Sequence, residues 1–287
     1  MRKIGFIGLG MMGLPMAHLL CEAGHELIVQ DVNATAAERF AAAHPGARVA
    51  VAPADFGAAE VLITMLPNSA VVNEVLSSLV GILPQGAVVV DMSSSDPVQT
   101  RELAGKLAGA GIAMLDAPVS GGVTKAVDGS LAIMVGGAGS AVETVRPILA
   151  TLGRVITHVG PIGAGHALKA LNNYVSAAGL IATAEAIHAG VAFGLDPNTV
   201  VDVINASTGK NNTTENKAHQ FMLSGTFNSG FSLALQAKDV GIAVSLGTAL
   251  GQKMELGRKI EEITHDASAA LGAGADHTEL YRYVRPE

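Results

Sequence analysis

The segment Ile7-Gly8-Leu9-Gly10-Met11-Met12-Gly13 constrains this chain more than any other stretch. Three glycines at G-x-G-x-x-G spacing let a strand turn tightly into a helix. They also let backbone approach a pyrophosphate, whose charge then sits at the positive end of the helix dipole. Short glycine patterns also arise in turns that bind nothing, so the context decides. Here Lys3 to Ile7 read as a short buried strand, and Leu14 to Ala23 as a helix with Pro15 in its first turn. A second strand, Glu26 to Gln30, ends in Asp31, eighteen residues past Gly13. An acidic residue there accepts hydrogen bonds from both hydroxyls of an adenosine ribose and repels a 2′-phosphate. No Arg follows until Arg39, so NAD is expected rather than NADP.

The chain has 287 residues, room for one large domain or two ordinary ones. Apolar residues make up 49 % and aromatics only 3 %, so the core must be built from Ala, Leu, Val, Ile and Met. A net charge of −7 without a basic run argues against a broad phosphate-neutralising surface, and no nucleic-acid partner is expected. The single cysteine, Cys21, cannot form an intramolecular disulfide, which suits a reducing cytoplasm. It lies in the first helix pattern and reads as a small buried hydrophobe rather than a reactive thiol. No secretory leader pattern is visible, and cytoplasmic residence is expected. Tyr174 to Leu195 is apolar and long enough to suggest a membrane span, but Glu185, His188 and its Ala/Gly content favour a buried central helix.

The first half alternates short β-rich runs (Ile4–Ile7, Leu27–Gln30, Val61–Leu66, Ala87–Asp91, Ala113–Leu115, Leu131–Val135, Val155–Val159) with helical stretches. Those stretches include Thr35–Ala43, Ser69–Leu79, Pro97–Ala110 and Ala141–Leu152, and Thr35-x-x-Glu38 has capping-box spacing. Such alternation implies a largely parallel sheet wound on both faces. No helix pattern separates the Ala113 and Leu131 runs, which predicts a mixed sheet edge. After about Gly160 helical periodicity takes over, with candidates at 165–194, 197–207, 214–223, 233–250, 256–271 and 277–283. The expected fold class is α/β: a Rossmann-type doubly wound domain over residues 1–162, then an all-helical domain over 163–287 opened by a long interdomain helix, 163–194.

Three further stretches stand out. Asp116-Ala-Pro-Val-Ser120-Gly121-Gly122 follows a β-run; a Ser hydroxyl with two glycine amides can cradle a carboxylate, or the stretch simply ends a strand. In Gly163-x-Gly165-His166-Ala-Leu-Lys169-Ala-Leu-Asn172-Asn173, Lys169 and Asn173 share one helix face. An amine held beside an amide suits carbonyl reduction: the ammonium gives a proton to the oxygen, and the free amine takes it back in reverse. The plain alternative is a snorkelling surface lysine. His166 is a rival acid/base but reads as a surface residue at the helix start. In Phe231-Ser-Leu-Ala-Leu-Gln-Ala-Lys238-Asp239, a solvated Lys–Asp pair is the ordinary reading. No metal site is expected.

Together these motifs resemble the β-hydroxyacid dehydrogenase family, the group that includes 3-hydroxyisobutyrate dehydrogenase and tartronate semialdehyde reductase. The resemblance runs nearly end to end: residues 5–13, Met65-Leu66-Pro67-Asn68, residues 116–122, residues 163–173 and Lys238-Asp239. It implies an NAD-dependent dehydrogenase of a small 3-hydroxy carboxylate, with the site between the two domains and assembly as a homodimer or homotetramer. By resemblance Lys169 is the catalytic acid/base, Ser120, Gly121 and Gly122 hold the substrate carboxylate, and Asn173 orients the substrate or Lys169. Gly8, Gly10, Met11, Met12, Gly13, Asp31, Leu66, Pro67 and Ser94 line the NAD site, and Lys238 reaches toward the cofactor. Ser94 stands where family members often have Thr.

The polar stretch Ser207–Thr214 departs from the best-known members: Lys210, Asn211 and Asn212 could read the far end of a substrate, or the stretch could cap the next helix through Thr213. 3-Hydroxyisobutyrate, glycerate, 3-hydroxypropionate, serine and larger polyhydroxy acids all fit this reading. The rival from another class is an NAD-binding sensor or scaffold without catalysis, which has no need of Lys169 and Asn173. Imine-reducing relatives typically replace the lysine, and decarboxylating sugar-acid relatives have a longer C-terminal domain.

Overall fold

The computed structural model describes residues 1–285 and divides into two compact units, Met1–Lys169 and the helical remainder from Ala170. In chain order the first contains β1 (Lys3–Ile7), α1 (Gly13–Glu22), β2 (Glu26–Gln30), α2 (Ala34–Ala43), β3 (Ala47–Val49), β4 (Val61–Thr64) and α3 (Ser69–Ser78). It continues with β5 (Val88–Asp91), α4 (Pro97–Gly109), β6 (Ala113–Asp116), β7 (Val119–Ser120), α5 (Gly122–Val127), β8 (Leu131–Gly136), α6 (Gly139–Leu152) and β9 (Gly153–Gly160). Strands β3, β2, β1, β4, β5 and β6 lie side by side in that order, all parallel. The order reverses direction at β1, which opens a crevice at the carboxyl ends of β1 and β4.

Side chains alternate between the two faces of this sheet, as the two-residue strand period requires. Ile4 and Phe6 of β1, Val61 and Ile63 of β4, and Val88 and Val90 of β5 pack with α1, α2, α5 and α6. Leu62 and Val89 face the other way, onto Phe56, Leu76 of α3 and Leu103 and Leu107 of α4. Both faces are covered, so these strands read as continuous apolar runs.

The expected mixed edge is present. Strand β8 pairs antiparallel with β6 and, past the break at Ala117–Pro118, with β7, while β9 joins β8 in parallel. Three local readings need correction. The short helix α5 does separate the two β-runs, because Gly121 and Gly122 at φ +136° and +67° turn the chain out of β7. The three-residue β3 carried no clear pattern in sequence. Finally, α2 is capped by Asn33, whose side chain accepts from the Ala36 amide, so Thr35 lies inside the helix rather than at its cap.

The second unit holds most of α7 (Ala164–Phe193), then α8 (Pro197–Asn205), α9 (Asn212–Asn216), a π-helical turn over Ala218–Leu223, α10 (Leu233–Ala249), α11 (Glu255–Leu271) and α12 (Leu280–Tyr283). Where the periodicity predicts one helix over 214–223, the chain breaks at Lys217, whose φ of −128° leaves helical geometry. Helix α7 is long and apolar enough to cross a membrane. One stripe of it, Ala177, Leu180, Ile181, Ala184 and Ile187, is buried against α8, α10, α11 and the π-helical turn. Cys21 is half-buried, and burial pushes its thiol up to about 11, which keeps it protonated and unreactive at neutral pH.

Candidate functional site

Each glycine of the first motif has a separate physical task. Gly8 lies at φ +103°, and a Cβ there would meet the Met65 carbonyl oxygen, so the tight turn admits no side chain. Around Gly10 nothing lies within 4 Å of a built Cβ, which leaves open space for a ligand against the backbone. A Cβ on Gly13 would collide with the Gly8 carbonyl oxygen, so the start of α1 packs directly on the loop. No side chain caps α1, and its N-terminus stays available to an anion. At the end of β2, Asp31 accepts from the Leu9 amide at 2.6 Å and the Asn33 amide at 2.8 Å. It therefore braces the glycine loop. Leu66 donates from its amide to Ser93 Oγ at 2.9 Å at the end of β4, tying that loop to the one carrying Ser94. These residues fit a dinucleotide.

A buried polar network lies beyond β5 and β6. Asp91 accepts from Thr64 Oγ1 and Ser95 Oγ at 2.9 and 2.7 Å, and from the Ser93 amide at 3.0 Å. Asp116, fully buried at the end of β6, accepts from the amides of Gly163 and His166, each at 2.7 Å. Those amides belong to the start of α7, where N–H groups have no partner within the helix. The carboxylate is thus an N-terminal clamp delivered from a distant strand, and it complements the helix dipole. Gly136 and Gly165 make the approach possible: a Cβ on Gly136 would lie 2.3 Å from Asp116 Oδ1, and one on Gly165 2.3 Å from the Met134 carbonyl oxygen.

His166 is not the surface residue expected from sequence. It is 1 % exposed, because the first turn of α7 packs onto these strand ends. Thr100 Oγ1 donates to the Asp96 carbonyl and shares a 2.9 Å hydrogen bond with His166 Nδ1. Its Nε2 lies 3.7 Å from Asp91. This ring is committed to the fold rather than open to a substrate.

Lys169 follows one turn later and is only 8 % exposed, which removes the snorkelling alternative. Asn173 is equally buried and donates from Nδ2 to Asp239 Oδ2 of α10 at 2.6 Å, while Asn172 donates to Asn173 Oδ1 at 3.1 Å. The solvated reading of Lys238-Asp239 also fails, since Asp239 is 3 % exposed. Lys238 sits 3.6 Å from that carboxylate and lines a hollow with Glu261 and His265. Ser120 closes β7, and the two positive-φ glycines follow it. In Ser207–Thr214, Asn211 rather than Thr213 caps α9, accepting from the Thr213 and Thr214 amides and donating to Thr183 of α7. Lys210 is spent on Glu215 at 2.8 Å.

Comparison with known proteins agrees with this geometry. Residues 3–160 match the family described as the NAD binding domain of 6-phosphogluconate dehydrogenase, and residues 163–284 the one described as NAD-binding of NADP-dependent 3-hydroxyisobutyrate dehydrogenase. The chain is 40 % identical over 253 residues to 2-(hydroxymethyl)glutarate dehydrogenase of Eubacterium barkeri, covering 85 % of this chain and 82 % of that one. It is 35 % identical over 294 residues to human mitochondrial 3-hydroxyisobutyrate dehydrogenase, covering 99 % and 87 %. The solved structure of Mycobacterium tuberculosis 3-hydroxyisobutyrate dehydrogenase with L-serine superposes over all of both chains with a TM-score of 0.93 at 35 % identity. The chain belongs to the β-hydroxyacid dehydrogenase family. This β-hydroxyacid dehydrogenase is an NAD-dependent oxidoreductase acting on the CH–OH group of a hydroxy acid.

Removing the helix clamp should be costly. Asp116→Ala leaves two buried amides unpaired, about 1–3 kcal/mol each, and should lower the thermal midpoint by roughly 4–20 °C by circular dichroism. Asp116→Asn keeps one acceptor oxygen and should lose about half as much. An Asp116→Ala protein melting within about 2 °C of the native one would contradict the assignment.

Proposed function

We propose that this enzyme interconverts a small 3-hydroxy carboxylate and its semialdehyde, as 3-hydroxyisobutyrate dehydrogenases do, with Lys169 as acid/base. The burial of Lys169 one turn before Asn173, itself tied to Asp239, is the observation that carries the reading. A buried lysine needs a task, and a sensor or scaffold has none for it. In oxidation the Lys169 amine takes the hydroxyl proton; in reduction the ammonium returns it to the carbonyl oxygen. Ser120, Gly121 and Gly122 receive the acid group, with successive positive-φ glycines favouring an anion nest. Asn173 orients the reacting oxygen or the amine. Bound NAD supplies the hydride acceptor. The glycine loop, Met11, Met12, Leu66, Pro67, Ser94 and Lys238 belong to its site, and Asp31 reads its ribose.

The reading includes a homodimer or homotetramer. Helix α7 carries exposed apolar residues, among them Val175 at 65 % and Val191 at 46 %, and half-exposed valines favour burial against a second copy. It also includes residence in the cytoplasm, which a single unpaired cysteine suits.

Three outcomes are expected. Lys169→Ala should lower kcat roughly 10²–10⁴-fold with NAD affinity nearly intact; near-normal turnover would refute the role. kcat/KM should favour NAD over NADP by about 10-fold or more, a difference of about 1.4 kcal/mol, and Asp31→Ser should narrow the gap; a native preference for NADP would count against Asp31 as the selector. Sedimentation equilibrium should return two or four times the monomer mass, and a concentration-independent monomer would remove the oligomer from the account.

A further inference from the structure

The polar face of α7 does not end at Asn173. Lys169, Asn173, Ser176 and Thr183 recur at spacings of four, three and seven, so all four lie on one narrow strip of the helix. Asn173 is engaged by Asp239 and Thr183 by Asn211. Ser176 is engaged by a cation: Lys217 Nζ lies 3.3 Å from Ser176 Oγ.

Lys217 occupies the break between α9 and the π-helical turn, where the chain leaves helical geometry. Burial pushes its ammonium below the ordinary lysine range, and the charge of Asp276 works against that shift. Yet Lys217 forms no ion pair among the described residues; its hydrogen bond is to a neutral hydroxyl. Asp276 is already saturated, accepting from Ser229 Oγ, Thr278 Oγ1 and the amides of Gly230, Phe231 and Thr278. His277 beside it is pushed down to about 4, by burial first and the Lys217 charge second, so at pH 7 it is neutral. A partly desolvated ammonium without a bonded carboxylate is a poor structural element and a good receptor for an incoming anion. Both Lys217 and Ser176 keep part of their surface open.

We propose that Lys217, with Ser176, binds a second anionic group on the substrate, so that the preferred substrates are 3-hydroxy acids carrying a further carboxylate at the far end. The inference rests on the dehydrogenase reading above and narrows its substrate class. Ser176 lies two turns, about 10 Å of helix rise, from Lys169. That spacing is set within one continuous helix, and a branched diacid whose carbinol and distal carboxylate are held apart matches it. Lys210, the residue that sequence offers for this task, is committed to Glu215 at the surface.

The experiment compares 2-(hydroxymethyl)glutarate with its monoanionic isostere 2-(hydroxymethyl)pentanoate at saturating NAD, in native, Lys217→Met and Lys217→Arg enzymes. Native kcat/KM should favour the diacid by about 10- to 100-fold, the range for a hydrogen bond to a charged group. Lys217→Met should abolish that preference through KM while leaving the monoacid within about 2-fold of native. Lys217→Arg should retain most of it. Equal native activity on the two acids, or an equal loss on both in Lys217→Met, would overturn the proposal. Calorimetric binding of glutarate and pentanoate to the NAD-saturated proteins reads the same preference without turnover. Should no hydroxy acid be oxidised, the dehydrogenase reading falls, and the glutarate-to-pentanoate ratio still decides whether Lys217 holds a second carboxylate.

Discussion

The carboxylate of Asp116 is the contact on which the rest of the site depends. It reaches from the end of β6 to two amides at the start of α7, 47 and 50 residues later in the chain. Each bond is short and buried, and each meets a donor that no helical carbonyl can satisfy. A charged acceptor on a helix N-terminus is strong, and it fixes both where the helix begins and how it is rotated. Lys169 is six residues beyond Gly163, so its azimuth follows from that anchoring. Gly136 and Gly165 are glycine because any Cβ there would stand in the way.

The helix anchored in this way carries its polar groups as a strip. A buried lysine, a buried amide, a hydroxyl with a lysine beside it and a second hydroxyl follow one another along one face. Leu180, at the intervening position, is buried in the apolar core. Polar groups at such depth need partners, and each has been given one from a different part of the chain: α10 for Asn173, the α9 cap for Thr183, the break at Lys217 for Ser176. The arrangement orders these side chains before any ligand arrives, which is what preorganised binding demands.

Much of this was legible in sequence, and for identifiable reasons. Strands covered on both faces appear as unbroken apolar runs, and the glycine motif has one structural solution when a strand precedes it and a helix follows. Lys169 and Asn173 were visible because two polar residues four apart interrupt an apolar helix. The rest depended on contacts between distant residues. Nothing local marks Asp116 as a clamp or His166 as buried, since both facts arise from packing between segments about fifty residues apart. Lys217 lay inside a helical periodicity, and only the break in the backbone there frees it to reach Ser176. The Ser207–Thr214 stretch misled for the opposite reason: its polarity serves a helix cap and a surface ion pair.

The central claim is that an amine at position 169 moves the proton. Replacing Lys169 with Cys and alkylating it with 2-bromoethylamine rebuilds that amine with a sulfur in place of the γ-methylene and nearly equal reach. The only other thiol, Cys21, is pushed up to about 11 and reacts slowly. Turnover should fall roughly 10²–10⁴-fold in Lys169→Cys and return on alkylation, with the limb of the pH–rate profile moved to lower pH because sulfur weakens the amine as a base. An alkylated enzyme that binds NAD and stays inactive, or one whose pH limb does not move, would contradict the account.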